Sequence, residues 1–264
     1  MVGSSSSQPQ AVLGEVDDGI GWLTLNRPGA ANAANPEMMR ALCTTFDALE
    51  ADPAVKAIVL MGNGRHFLAG GDLDWLARIV ADTDPAAAED IYRWFQGAMK
   101  RVMACPKPVV AAVSGAALTV GCELALACDV RLAERNAFFQ VGWIELGLIG
   151  PLGAGKLLPL TVGLGRAREM YLECRRVDAA EALEMGLVSA VCEDRDALRA
   201  LARERALAMA ARPQAAFARM KALLHDGLAQ SLEQFWEAGM AAQAELLAGP
   251  AFRDAVLARR PPAA

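Results

Sequence analysis

Three stretches constrain this chain more than any other feature: "KAIVLMG" (56–62), "KPVVAAVSG" (107–115) and "DVRLAE" (129–134). In the first two, apolar residues follow one another without alternation, so a strand built from them has both faces covered. Helical patterns lie between and beside these runs. Before the first, "NPEMMRALCTTFDALEADP" offers Asn35 as an N-cap, Pro36 at the first helical position, and Met39, Leu42, Phe46 and Leu49 at helical spacing. After the second, "GCELALAC" reads as a buried helix. Strand, glycine-containing turn and helix alternate, which indicates an α/β architecture and argues against an all-β sandwich. Upstream, Ala11 to Val16 and Ile20 to Asn26 flank Asp17-Asp18-Gly19, a hairpin composition. From about Asp194 onward Ala, Leu, Arg and Glu dominate, and the tail is predicted to be mostly helical.

The 264 residues suffice for one large domain or one domain with a small appendage. Hydrophobic residues make up 54% of the chain, yet charges interrupt every apolar run before the roughly 18 to 20 residues of a membrane span. The net charge is −5 and basic residues are scattered apart from small C-terminal groups such as Arg259 and Arg260, which argues against a nucleic-acid partner. The six cysteines form no CxxC pair and have no nearby histidine, and no secretory signal pattern precedes them. They are expected to be reduced core residues in a cytoplasm-like compartment, with no metal site. The opening "MVGSSSSQPQ" (1–10) is polar and low in complexity, as a disordered leader would be.

"HFLAGGDLDWL" (66–76) places a flexible Ala-Gly-Gly directly after a strand. Together with "LTLNRP", "DPAVKAIVLMGNGRHFLAGGDL", "KPVVAAVSGAAL", "GCELALACDVRLAERNAFF", "GLGRAREMYLECRRVDAAEALEMGLVSAVCE" and "AFRDAVLARRPP", it resembles the crotonase family, also called the enoyl-CoA hydratase/isomerase family, from Ala11 to Arg260. The resemblance implies a spiral of strand-strand-helix repeats (an acyl-CoA-binding core, 11–193) and a helical C-terminal region (194–264) that joins subunits into homotrimers or dimers of trimers. It further implies an acyl-CoA thioester as substrate, no separate cofactor, and two backbone amides that hold the enolate oxygen. By register these amides belong to Gly71 and Val120. Fixed amide dipoles suit that task because they stabilise developing charge without reorganising. Glu123 matches the first catalytic glutamate, and Ala31, Gly71, Asp72, Leu73 and Asp74 match contacts to the bound thioester and nucleotide.

The chain also departs from the family pattern. Thr119-Val120-Gly121 replaces a Gly-Gly-Gly run, and the β-branched pair narrows the approach of an acyl group. Trp143 stands where hydratases carry their second glutamate, and Pro151 stands where other branches carry an aspartate. Glu145, two residues beyond Trp143, would project about 200 degrees around a helix axis and so face away. Trp143 points to a bulky or aromatic acyl surface. His66 reads as a loop residue, and His225 lies in the helical tail. A glutamate within an apolar helix also has a structural reading, in which Glu123 is paired with a basic side chain. The leading expectation is hydration or double-bond shift of an enoyl-CoA. The alternative is a coenzyme A thioester binding protein with lost or altered catalysis, and a pure assembly protein is a third reading.

Overall fold

In the computed structural model, which describes residues 10–81 and 88–258, the chain winds two sheets at once. The leader apart from Gln10, and Arg259 and Arg260, lie outside the described residues. Strands β1 (Val12–Asp17) and β2 (Ile20–Leu25) form the expected hairpin, with Asp17 paired to Ile20. Asp18 and Gly19 both take positive φ, 47° and 79°, as a two-residue turn of this handedness requires. Helix α1 (Pro36–Ala51) begins where expected, with the Asn35 side chain accepting from the Met38 N–H.

Three strand-strand-helix turns follow, as the family resemblance implies. The first comprises β3 (Ala57–Gly62), β4 (Leu68–Ala69) and helices α2 (Leu73–Ala81) and α3 (Ala88–Ala104). The second comprises β5 (Val109–Val113), β6 (Ala116–Leu118) and α4 (Val120–Ala127). The third comprises β7 (Val130–Glu134), β8 (Phe138–Gln140), α5 (Ala154–Val162) and α6 (Leu164–Leu172). The first strand of each turn joins a six-stranded sheet ordered β1-β2-β3-β5-β7-β10, parallel beyond the hairpin and closed by β10 (Ala190–Cys192). The second strand joins a small sheet, β4-β6-β8-β9, completed by β9 (Val177–Asp178) just before α7 (Ala179–Glu184).

The unbroken apolar runs are explained by burial on both faces of the large sheet. Ile58 and Leu60 of β3 pack into the main core with Phe46 and Phe95, whereas Ala57, Val59 and Met61 face a second core against α8 (Arg195–Ala210), whose Leu198, Ala202 and Ala206 are buried. Truncating one of these rings, such as Phe46, to alanine would cost about 3–5 kcal/mol. The rest of the tail, α9 (Gln214–Asp226), α10 (Leu232–Leu247) and α11 (Pro250–Leu257), lies outside this sheet packing but is pinned to the body by Lys221. Its buried ammonium donates to the Asp129 carboxylate (2.9 Å) and to the carbonyls of Val102 and Lys107. Among the described residues no helix is long and apolar enough to cross a membrane. All six cysteines are free and buried, and burial pushes the Cys122 and Cys128 thiols up to about 12.

Candidate active site

Gly71 lies just beyond β4 and forms a single parallel bridge with Ala34. The Ala34 N–H donates to the Gly70 carbonyl (2.7 Å) and the Asp72 N–H donates to the Ala34 carbonyl (2.9 Å). In that pattern the N–H of Gly71 itself points the other way, towards β6, and no protein group among the described residues accepts it. Gly70 adopts φ 94°, a left-handed backbone that favours glycine.

The partner across this gap is the start of α4. Strands β4 and β6 pair in parallel with Leu68 opposite Ala117 and Ala69 opposite Leu118, and Gly71 and Val120 each follow two residues beyond the last of these pairs. Val120 is the first residue of α4, and its N–H belongs to the first turn, which has no intrahelical acceptor. The N-cap, Thr119, gives no side-chain hydrogen bond to the helix, so the positive end of the α4 dipole carries no side-chain cap. Glycine is needed at position 121 for another reason: a β-carbon there would lie 2.3 Å from the Leu68 carbonyl oxygen, so β4 and α4 approach backbone to backbone. The Val120 side chain is buried in the main core.

Thr119, half of the β-branched pair, has a backbone that the sequence does not reveal. It has φ 44° and ψ −105°, a strained backbone for a β-branched residue, at a position where the family carries glycine. Its hydroxyl lies against Gly70, 2.8 Å from where a β-carbon on that glycine would be.

One turn into α4, Glu123 is almost wholly buried, at 1% exposure. Its carboxylate accepts from the Trp143 indole Nε1–H at 2.7 Å and from the Ala154 N–H at 3.1 Å. Among the described residues it forms no salt bridge, so the reading in which a basic side chain neutralises it has no support in the geometry. Burial raises the Glu123 carboxyl above the usual range, and the hydrogen bonds from Ala154, Trp143 and Leu152 offset this only in part. Gly150 closes over the pair, because a β-carbon there would lie 2.7 Å from Glu123 Oε1 and 2.9 Å from the indole. Trp143 therefore does more than replace a glutamate: it orients the one that remains.

The flanking loop is held by ionic and amide contacts. Asp72 is nearly buried, pairs with Arg27 at 2.7 Å and accepts the Trp75 N–H. Burial pushes its carboxyl up, but Arg27 and the N–H groups of Trp75 and Asp74 outweigh that and hold it below the ordinary range. Asn32 is wholly buried, accepts the Arg27 N–H and donates to the carbonyls of Asn63 and His66. These contacts fix Ala31, which is half-buried with φ 51° and whose carbonyl accepts the Ala69 N–H. Leu73, 75% exposed, and Asp74 stand at the rim beside Gly71. His66 is a loop residue whose Nδ1 accepts from the Ala116 N–H, and Pro151 offers its carbonyl to Gln96. Glu145 sits in a 3₁₀ turn (Ile144–Leu146) and is exposed, whereas Glu123 is buried. His225 lies at the end of α9.

A family model for enoyl-CoA hydratase/isomerase matches residues 15–258. The chain belongs to the enoyl-CoA hydratase/isomerase family. Relatives in this family include a Rhodobacter capsulatus protein named probable enoyl-CoA hydratase, 35% identical over 94% of this chain and 95% of its own length. An Escherichia coli 1,2-epoxyphenylacetyl-CoA isomerase is 36% identical over 69% of this chain and 70% of its own. The crystal structure of an enoyl-CoA hydratase from Polaromonas superposes with a TM-score of 0.88 at 28% identity, covering 94% of this chain and 95% of that one. The chain is thus an enzyme of the hydratase/isomerase type, with an acyl-CoA thioester as the class of substrate that family membership implies.

Proposed function

We propose that this enzyme acts on an enoyl-CoA through a thioester enolate, with the Gly71 and Val120 amides donating to the enolate oxygen and Glu123 moving the proton. The observation that carries this reading is the pair of unpartnered N–H groups on Gly71, just beyond β4, and Val120, at the uncapped start of α4, one turn from a buried carboxylate. In a double-bond shift, the Glu123 carboxylate removes a proton from carbon, and the electron pair moves into the conjugated system with negative charge on the thioester oxygen. The carboxylic acid then returns the same proton at the other end of the system. One carboxylate suffices for that sequence. Hydration uses the same enolate but asks Glu123 alone to place water and proton, so it is the slower of the two reactions here. Ala31, Leu73 and Asp74 stand where the coenzyme portion would pass.

The test is a panel of enoyl-CoA thioesters followed for loss or migration of the conjugated double bond. Replacing Glu123→Gln should lower kcat by about 10²–10⁴-fold while thioester binding stays measurable; unchanged turnover removes Glu123 from the mechanism. The second reading, thioester binding without turnover, is favoured by the indole already bonded to Glu123. It predicts binding of every thioester and reaction of none.

Assembly into a homotrimer or dimer of trimers is part of the proposal. Leu232, Trp236, Met240 and Leu247 of α10 are each at least half exposed and recur on one helical face. Free, buried thiols suit a reducing, cytoplasm-like compartment.

A further inference from the structure

Four aromatic rings from three segments form one continuous strip. Trp75 of α2 stacks on Phe95 of α3 (centroids 5.3 Å apart, planes 18° apart). Tyr92 of α3 meets Phe95 at 5.7 Å and 59°, and meets Trp143 at 6.5 Å and 60°. Both ends are tied to the site. At one end the Trp75 N–H donates to Asp72, and the next residue, Leu76, touches the space beside Gly71. At the other end the Trp143 indole donates to Glu123. Phe95 and Trp143 are buried, while Trp75 and Tyr92 keep part of their surface open.

Such a wall selects for shape. A linear acyl chain needs only apolar depth, which flexible aliphatic side chains supply and reshape for each length. Rigid rings held stacked and tilted offer flat faces and edges, and they reward a ligand that is itself aromatic. We propose that the acyl group is an aryl-substituted unsaturated acyl thioester whose ring packs against Trp75 and Tyr92 while its conjugated carbons lie between Glu123 and the amides of Gly71 and Val120. The proposal rests on the enoyl-CoA reading above and narrows it to one substrate class.

Calorimetry on the full chain with two unreactive thioesters of equal carbon number, 3-phenylpropanoyl-CoA and nonanoyl-CoA, tests it. The linear chain is the more hydrophobic of the two, so apolar burial alone favours it. The aryl thioester should bind about tenfold tighter, and Trp75→Leu and Tyr92→Leu should each bring the ratio towards one. Equal or tighter binding of nonanoyl-CoA overturns the aryl assignment and leaves the enoyl-CoA reading standing. Binding of neither thioester overturns both.

Discussion

At the scale of single residues, the chemistry turns on how Glu123 is held. Burial favours its neutral form, and the Trp143 indole, at 2.7 Å, favours the carboxylate. With Glu123 acting as a base, kcat/KM falls as pH drops through a pKa above the ordinary glutamate range. Trp143→Phe removes a donor to the charged form, so the pKa rises further and the acid limb moves to higher pH. A limb that stays in place, or moves to lower pH, rules out the indole as the group that tunes Glu123. The sequence identified both residues by their motif positions, yet it presented Trp143 as a missing glutamate. The bond between them joins residues twenty apart on separate turns of the spiral, and no local pattern encodes it. The strain at Thr119 was illegible for a similar reason: the sequence marks it as standing in the family's glycine run, whereas its φ of 44° emerges only in the fold.

At the scale of elements, the site depends on the close approach of β4 to the first turn of α4. The contact is backbone against backbone at Leu68 and Gly121, which leaves no room for a methyl group. Gly121→Ala must push α4 away from β4 and separate the Gly71 and Val120 amides. We expect a fall in kcat of at least about 10²-fold, the size associated with losing one oxyanion donor, because Glu123 is carried on the same helix and moves with it. Steady-state kinetics on a folded variant measures this, and an unaltered kcat would show that the spacing of the two segments is unimportant. The long elements were legible: the β3 and β5 runs, the capped α1 and the buried α4 all carry strong apolar patterns. The strands of the small sheet, two or three residues each, were not, because so short a segment shows no period. Only the family resemblance implied a second strand in each repeat.

At the scale of the whole molecule, the last two helices leave several large apolar side chains uncovered. Trp236 and Met240 of α10, and Phe252 and Val256 of α11, are substantially exposed. The helical tail was legible from composition, whereas its first helix, α8, turned out to be a layer of the sheet's own core through Leu198, Ala202 and Ala206. A trimer or hexamer in light scattering is the expected result, and the double substitution Trp236→Glu with Met240→Glu should yield smaller species. A monomeric parent protein would contradict the assembly. The most direct test of the central claim is a crystal structure with an unreactive acyl-CoA thioester bound. The account predicts the thioester oxygen at about 2.7–3.1 Å from both the Gly71 and Val120 nitrogens, with Glu123 facing the neighbouring carbons. An oxygen that meets neither amide, or a thioester seated elsewhere on the chain, would contradict it.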